Sequence, residues 1–231
     1  MTNSDTSWQN APAKPGLPDD EVHVWRIDLD DDSRPLEETA ACLTQDESLR
    51  ASAFHFERDR LRFIAGRAAL RRILASCCEV SPAEIRFAYG DHGKPELATP
   101  PGDSGLRFNL SHSRGLALCA VTRMRIVGVD VERIRARSNI ERVAERFFST
   151  AENSALRSIP REQQREAFFR CWTRKEAYLK ALGSGVFGGS TGFDVSLAPE
   201  EPARLLRIHG DRDEAARWTL RDVTQIGRAH V

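Results

Sequence analysis

Neither sign of charge prevails in this chain: Lys and Arg together number 34, and so do Asp and Glu. Nucleic acids and anionic membranes select a basic excess, so the balance argues against both as partners and leaves any basic site to be local. Cysteine is scarce as well. The five thiols, Cys42, Cys77, Cys78, Cys119 and Cys171, show no CxxC spacing, are odd in number and lie mostly in apolar stretches. They read as reduced core residues, which places the protein in the cytoplasm. No apolar run is long enough to span a bilayer, and no basic flank followed by an apolar run stands at the N-terminus, so neither membrane insertion nor secretion is expected. What is present is an ordinary globular composition, 231 residues with 40% hydrophobic and 29% charged, enough for one large domain or two small ones fused.

Residues 1–20 are rich in Ala, Pro, Asn, Ser and Asp and are expected to be a disordered tail. Val22 to Leu29 reads as a strand, and a long helical segment follows from "LTQDESLRASAF" through "RDRLRFIAGRAALRRILA". "EIRFAYGDHGKPEL" reads as strand, Gly/Pro turn and short strand, and "GLRFNLSHSRGLALCAVT" as two strands around a polar turn. The outline then repeats: a strand, "RVAERFFSTAENSALRSI", and a long helix in "REQQREAFFRCWTRKEAYLKALG". Matching the two long helices by eye puts Phe63 over Trp172, Arg67 over Glu176 and Arg71 over Lys180, which suggests two similar halves.

The chemistry gathers in "IVGVDVERI", Ile126 to Ile134. On a strand, Val127, Val129 and Val131 would share one face, and Gly128, Asp130 and Glu132 the other. Two carboxylates then stand side by side next to a residue without a side chain. On the last long helix, Phe168, Phe169, Trp172, Glu176, Leu179 and Lys180 fall close together at helical spacing, so a carboxylate and a lysine one turn apart continue an aromatic stripe. Alone, Glu176 and Lys180 would pass for a surface pair. Asp130, Glu132 and Glu176 together make three carboxylates on otherwise apolar elements, and like charges at a half-buried place repel unless a cation joins them. Oxygen-only ligands suit Mg²⁺, which takes its remaining ligands from water and substrate phosphate. The missing side chain at Gly128 is expected to leave room for that phosphate. Cations for a phosphate stand earlier in the chain: Lys94 in the turn of "HGKPEL", and His112 between Ser111 and Ser113 at a strand end. Each taken singly is an ordinary turn.

In this order and at these separations, "GKP", "FNLSHS", "GVDVE" and "WTRKEAYLKALG" resemble the 4'-phosphopantetheinyl transferases of the two-lobed surfactin-synthetase-activating type, whose helix motif reads W-x-x-K-E-A-x-x-K. The motifs run from Lys94 to Gly183, and weaker similarity through "FERD" and "AGRAALR" extends over nearly the whole folded chain. The resemblance implies an α+β fold, a pseudo-dimer of two similar lobes, 21–125 and 126–224, with the ligand cleft between them. It implies transfer of phosphopantetheine from coenzyme A to a serine of an apo carrier protein, with release of adenosine 3',5'-bisphosphate. By the same resemblance Asp130, Glu132 and Glu176 hold Mg²⁺, or Mn²⁺ in its place, and Asp130 also touches the cofactor. Glu176, or a water it orients, takes the proton from the serine, and Lys180 meets the developing phosphate charge. Arg58, Lys94, Ser111 and His112 carry the nucleotide's phosphates, and Pro95 lies close to the nucleotide. The partners implied are carrier proteins of polyketide, nonribosomal peptide or fatty-acid synthases, met by a monomer.

The resemblance also implies another short strand or two beyond "RWTLRDVT", where this chain stops almost at once. Its last residues, Gln225 to Val231, read "QIGRAHV", which is what the start of a widely used sequencing adapter encodes, and they read as an assembly artefact. Two other functions stay open. A non-catalytic coenzyme A or carrier-protein binding module would keep Lys94, Ser111 and His112 but would be free to lose Glu176 or Lys180. A metal-dependent phosphodiesterase could use the three carboxylates but has no reason for the GKP and SHS turns.

Overall fold

In a computed structural model of the chain, residue 8, residues 16–90, 93–98, 105–135, 139–184, 189–209 and 211–223, and the backbone of 229–230, are described. Most of the tail, Asp91 and His92 of the first turn, and 225–228 with 231 lie outside the described residues. Among the described residues no helix is long and apolar enough to cross a membrane. The chain divides into two compact units, Met1–Val127 and Gly128–Val231, each mixing helix and strand in the α+β manner.

The first unit begins with strand β1 (Val22–Asp28), followed by helices α1 (Leu36–Ala40), α2 (Gln45–Ser52) and α3 (Glu57–Cys78). The hairpin β2 (Phe87–Tyr89) and β3 (Pro95–Leu97) and the longer hairpin β4 (Leu106–Ser113) and β5 (Leu116–Arg123) complete it. The expected single helical segment is thus broken: Ala53 to Phe56 separate α2 from α3. The sheet order is β1-β5-β4, all antiparallel. The central strand β5 is buried from Ala117 to Thr122, which is why it reads as an apolar run and not as an alternation. Leu70 and Leu74 of α3 pack with Phe108, Cys119 and Val121 of the sheet. Leu17, within the stretch read as a tail, joins this core, and its carbonyl accepts a hydrogen bond from Arg123 Nε.

The second unit runs through β6 (Asp130–Val131), α4 (Ile140–Phe147), α5 (Thr150–Ser158), α6 (Arg161–Leu182), β7 (Phe193–Val195), β8 (Leu205–Ile208), α7 (Arg212–Ala216), β9 (Asp222–Val223) and the backbone of β10 (Ala229–His230). β10 pairs with both β6 and β9, and it falls in the stretch that reads as an adapter translation. The core is aromatic. Phe148 stacks on Phe168 at 5.3 Å between ring centres, and Trp172 packs edge-on against Phe147 at 5.5 Å. The tryptophan of the helix motif is therefore a packing residue.

Both units carry the same helical clip, built around a helix N-terminus whose free amides need acceptors. In the first, Thr44 and Glu47 form a capping box at the start of α2, and buried Glu47 accepts from Arg71 Nε of α3 at 2.7 Å. In the second, Ser149 and Glu152 cap α5, and buried Glu152 accepts from Lys175 Nζ of α6 at 2.7 and 2.8 Å. α3 and α6 are each 22 residues long and end in a left-handed cap, Glu79 and Gly183. Caps and clips together set Arg71 over Lys175, Ala68 over Trp172, Arg72 over Glu176 and Ser76 over Lys180. This corrects the match that put Phe63 over Trp172 and Arg67 over Glu176. An amphipathic face repeats every few residues and fits at several offsets, whereas a buried ion pair fits at one.

Candidate active site

Asp130 is the first residue of β6 and is 4% exposed. The run ahead of it does not alternate as expected: strand begins at Asp130, and Val127, Val129 and Val131 are buried along with Gly128 and Asp130. Gly128 does not leave room for a phosphate, which corrects that expectation. A Cβ built there would fall onto the backbone carbonyl of Ala177 and the amide of Ala181 in α6. The glycine instead lets the chain press directly against the helix, and that approach carries Asp130 to the helix face bearing Glu176 and Lys180.

Lys180 Nζ donates to Asp130 Oδ1 at 2.5 Å, with the lysine 31% exposed and the aspartate 5%. The helix pair is therefore not a closed surface pair of Glu176 with Lys180. Glu176 is 6% exposed, and burial pushes its carboxyl up to about 7, with Asp130 adding to the rise, Lys180 opposing it and Glu132 adding again. Asp130, Glu132 and Lys180 thus all act on Glu176, and Lys180 also bonds Asp130. The donor set fits a hard divalent cation chemically, being all oxygen with like charges crowded together. Among the described residues, no three side chains of His, Cys, Asp or Glu stand arranged as a metal-ligating group, and Asp130 offers one oxygen to Lys180.

The other predicted residues lie in the first unit. Lys94 follows Gly93, whose φ of +73° is a turn conformation that favours glycine, and Pro95 opens β3 opposite Tyr89. Lys94 is half-buried, and burial pushes its ammonium below the ordinary lysine value, with Glu96 opposing the shift and Arg107 adding to it. Ser111 is buried at 3% and His112 is exposed, both near the end of β4, where alternation turns them to opposite faces. Arg58 stands apart on the first turn of α3, its side chain 67% exposed.

Motif reading assigned no task to Lys175 or Arg174 of α6, or to Glu152 of α5, all three buried. Lys175 also donates to Phe193 O at 2.8 Å, Glu152 accepts from Val195 N at 2.9 Å, and Arg174 reaches Asp222 at 2.8 Å. The visible signal was Glu152 itself, three residues after Ser149 in a capping-box pattern.

An α+β chain with an acidic centre made by one strand and one helix is the scaffold of an enzyme, and comparison with known proteins says which. A family profile described as the 4'-phosphopantetheinyl transferase superfamily matches residues 126–229, and one described as 4'-phosphopantetheinyl transferase, N-terminal, matches 31–123. The 4'-phosphopantetheinyl transferase HetI of Nostoc sp. is 47% identical over 199 residues, 86% of this chain and 84% of that protein. A putative 4'-phosphopantetheinyl transferase of Synechocystis sp. is 32% identical over 180 residues, 78% of this chain and 71% of the relative. The 4'-phosphopantetheinyl transferase of Bacillus subtilis is 30% identical over 157 residues, 68% of this chain and 67% of the relative. The chain belongs to the 4'-phosphopantetheinyl transferase superfamily and is a transferase.

Proposed function

We propose that the chain transfers the 4'-phosphopantetheine group of coenzyme A to a serine hydroxyl of an apo carrier protein and releases adenosine 3',5'-bisphosphate. The observation that carries this reading is the meeting of Asp130, Glu132, Glu176 and Lys180 in one family-typical unit. In the reaction the serine oxygen forms a bond to the β-phosphorus, the bond from that phosphorus to the bridging oxygen breaks, and the bridging oxygen leaves with the nucleotide. The serine proton goes to Glu176, or to a water it holds.

Asp130, Glu132 and Glu176 are the residues that would hold Mg²⁺, or Mn²⁺ in its place. Bound there, the ion would neutralise charge on the pyrophosphate oxygens. Lys180 adds a second cation for charge that develops during transfer. Lys94, Ser111 and His112 would hold the nucleotide's phosphates, with Pro95 beside the nucleotide and Arg58 as a further contact. The half-buried, depressed ammonium of Lys94 supports that role. The five free thiols agree with a cytoplasmic setting, and the chain would act as a monomer on carrier proteins of polyketide, nonribosomal peptide or fatty-acid synthases.

Incubating the protein with coenzyme A, Mg²⁺ and a panel of apo carrier domains, and weighing the products, tests this reading. A mass gain of one phosphopantetheine, lost when Mg²⁺ is chelated, is expected. Tight coenzyme A binding with no transfer to any carrier would leave only a binding module, and cleavage of coenzyme A without an acceptor would favour a phosphodiesterase.

A further inference from the structure

We propose that the buried pair Glu152–Lys175 positions Glu176, an inference that rests on the transfer reading. Glu152 is 2% exposed and Lys175 3%. Two charges that far from water bring little net stability once their desolvation is counted, so stability alone does not explain them. Their connections do. The Lys175 ammonium is held by both Glu152 oxygens, at 2.7 and 2.8 Å, and by Phe193 O at 2.8 Å. Glu152 in turn accepts from Ser149 N at 2.8 Å and from Val195 N at 2.9 Å. Every donor and acceptor around the pair belongs to α5, α6 or β7 or to a flanking residue, so the pair locks the rotation of α6 about its axis at residue 175.

The next residue on the helix is Glu176. Successive residues point roughly 100° apart around a helix, so fixing the Lys175 side chain fixes the sector into which Glu176 projects. On that side Gly128 lies against Ala177 O and Ala181 N, which sets how closely the Asp130 segment approaches. The pair governs rotation and the glycine governs distance. A carboxylate displaced by about 1 Å from its working place loses on the order of 10²-fold in rate, and residues that orient a reacting group through another typically account for about 10- to 100-fold.

The first unit supplies the control. Its clip, Glu47–Arg71, has the same capping box and the same place in its long helix, and the residue after its cation is Arg72 in place of a carboxylate. The pair is removed without stranding a charge by Glu152→Gln with Lys175→Met, and in the first unit, where Glu47 also lies 3.5 Å from Arg67 Nε, by Glu47→Gln with Arg67→Met and Arg71→Met. Glutamine retains the capping-box acceptor. Both variants are expected to fold. The second-unit variant should lose about 10- to 100-fold in kcat with KM for coenzyme A nearly unchanged, and the first-unit variant should keep the parental kcat. In protein labelled with ¹³C at the glutamate carboxyls, the Glu176 resonance, assigned with Glu176→Gln, should move only in the second-unit variant. A folded second-unit variant with parental kcat and an unmoved resonance would overturn the proposal. If that variant does not fold, Lys175→Arg keeps the charge and changes the reach, and an unmoved Glu176 resonance in it would overturn the proposal equally. Parental protein that modifies no carrier, or Glu176→Gln that transfers at the parental rate, would instead count against the transfer reading, and the resonance test of the pair would still stand.

Discussion

Above about pH 7 the metal-free chain must hold Glu176 ionised beside Asp130 and Glu132. A carboxyl whose pKa is raised by folding binds its proton more tightly folded than unfolded, so stability rises as pH falls. The penalty is full above about 7 and gone below the ordinary value of 4.5, and it is worth roughly 3 kcal/mol at most. Glu176→Gln removes it. Without metal that variant should melt above the parent at alkaline pH, with the gap closing towards pH 4.5, while transfer falls on the order of 10²-fold. Melting curves across pH, set beside single-turnover transfer, check both signs, and a gap that stays constant with pH would show that Glu176 is not the strained group. Lys180 makes a second test with opposed outcomes. Because its ammonium occupies Asp130 Oδ1, Lys180→Ala should bind Mg²⁺ more tightly in calorimetry yet transfer more slowly; weaker Mg²⁺ binding would mean that the lysine helps to build the metal site.

Helix α6 and the segment leading into β6 meet backbone to backbone at Gly128. A methyl group there meets main chain, which cannot rotate away, so Gly128→Ala should cost about 1–3 kcal/mol and lower transfer with it. An unchanged melting temperature would contradict the packing described. At the hairpin of β2 and β3 and at the end of β4, Lys94→Ala or His112→Ala should weaken coenzyme A more than 3'-dephospho-coenzyme A, by roughly 1.5–3 kcal/mol if the side chain meets the 3'-phosphate. Equal losses for both ligands in calorimetry would move these side chains along the pyrophosphate. The hairpins were legible because turn residues and apolar runs mark them locally. Of the strand expected over Ile126–Ile134, Asp130–Val131 is strand, because alternation reports which side chains are buried and not how far a ladder of hydrogen bonds runs. The place of Gly128 was hidden for a related reason: an empty side-chain position is the same letter whether a ligand or a helix fills it.

Over the whole chain, the motifs singled out Asp130, Glu132, Glu176 and Lys180, and a repeat of strand and long helix was visible in outline. Its register was not, since Glu47 with Arg71 and Glu152 with Lys175 are pairings across more than twenty residues that no single helix displays. In the corrected register Arg72 stands where Glu176 does and Ser76 where Lys180 does. The scaffold is doubled and the acidic centre is not. A symmetric pair of such units would offer two equivalent seats for its ligand, and both would fill in a titration. Here the doubled frame should saturate at one coenzyme A per chain, with a single-step isotherm that Glu47→Gln leaves at the same stoichiometry. The repetition would thus lend the molecule its build without multiplying its capacity, and each chain is expected to prime one carrier protein at a time.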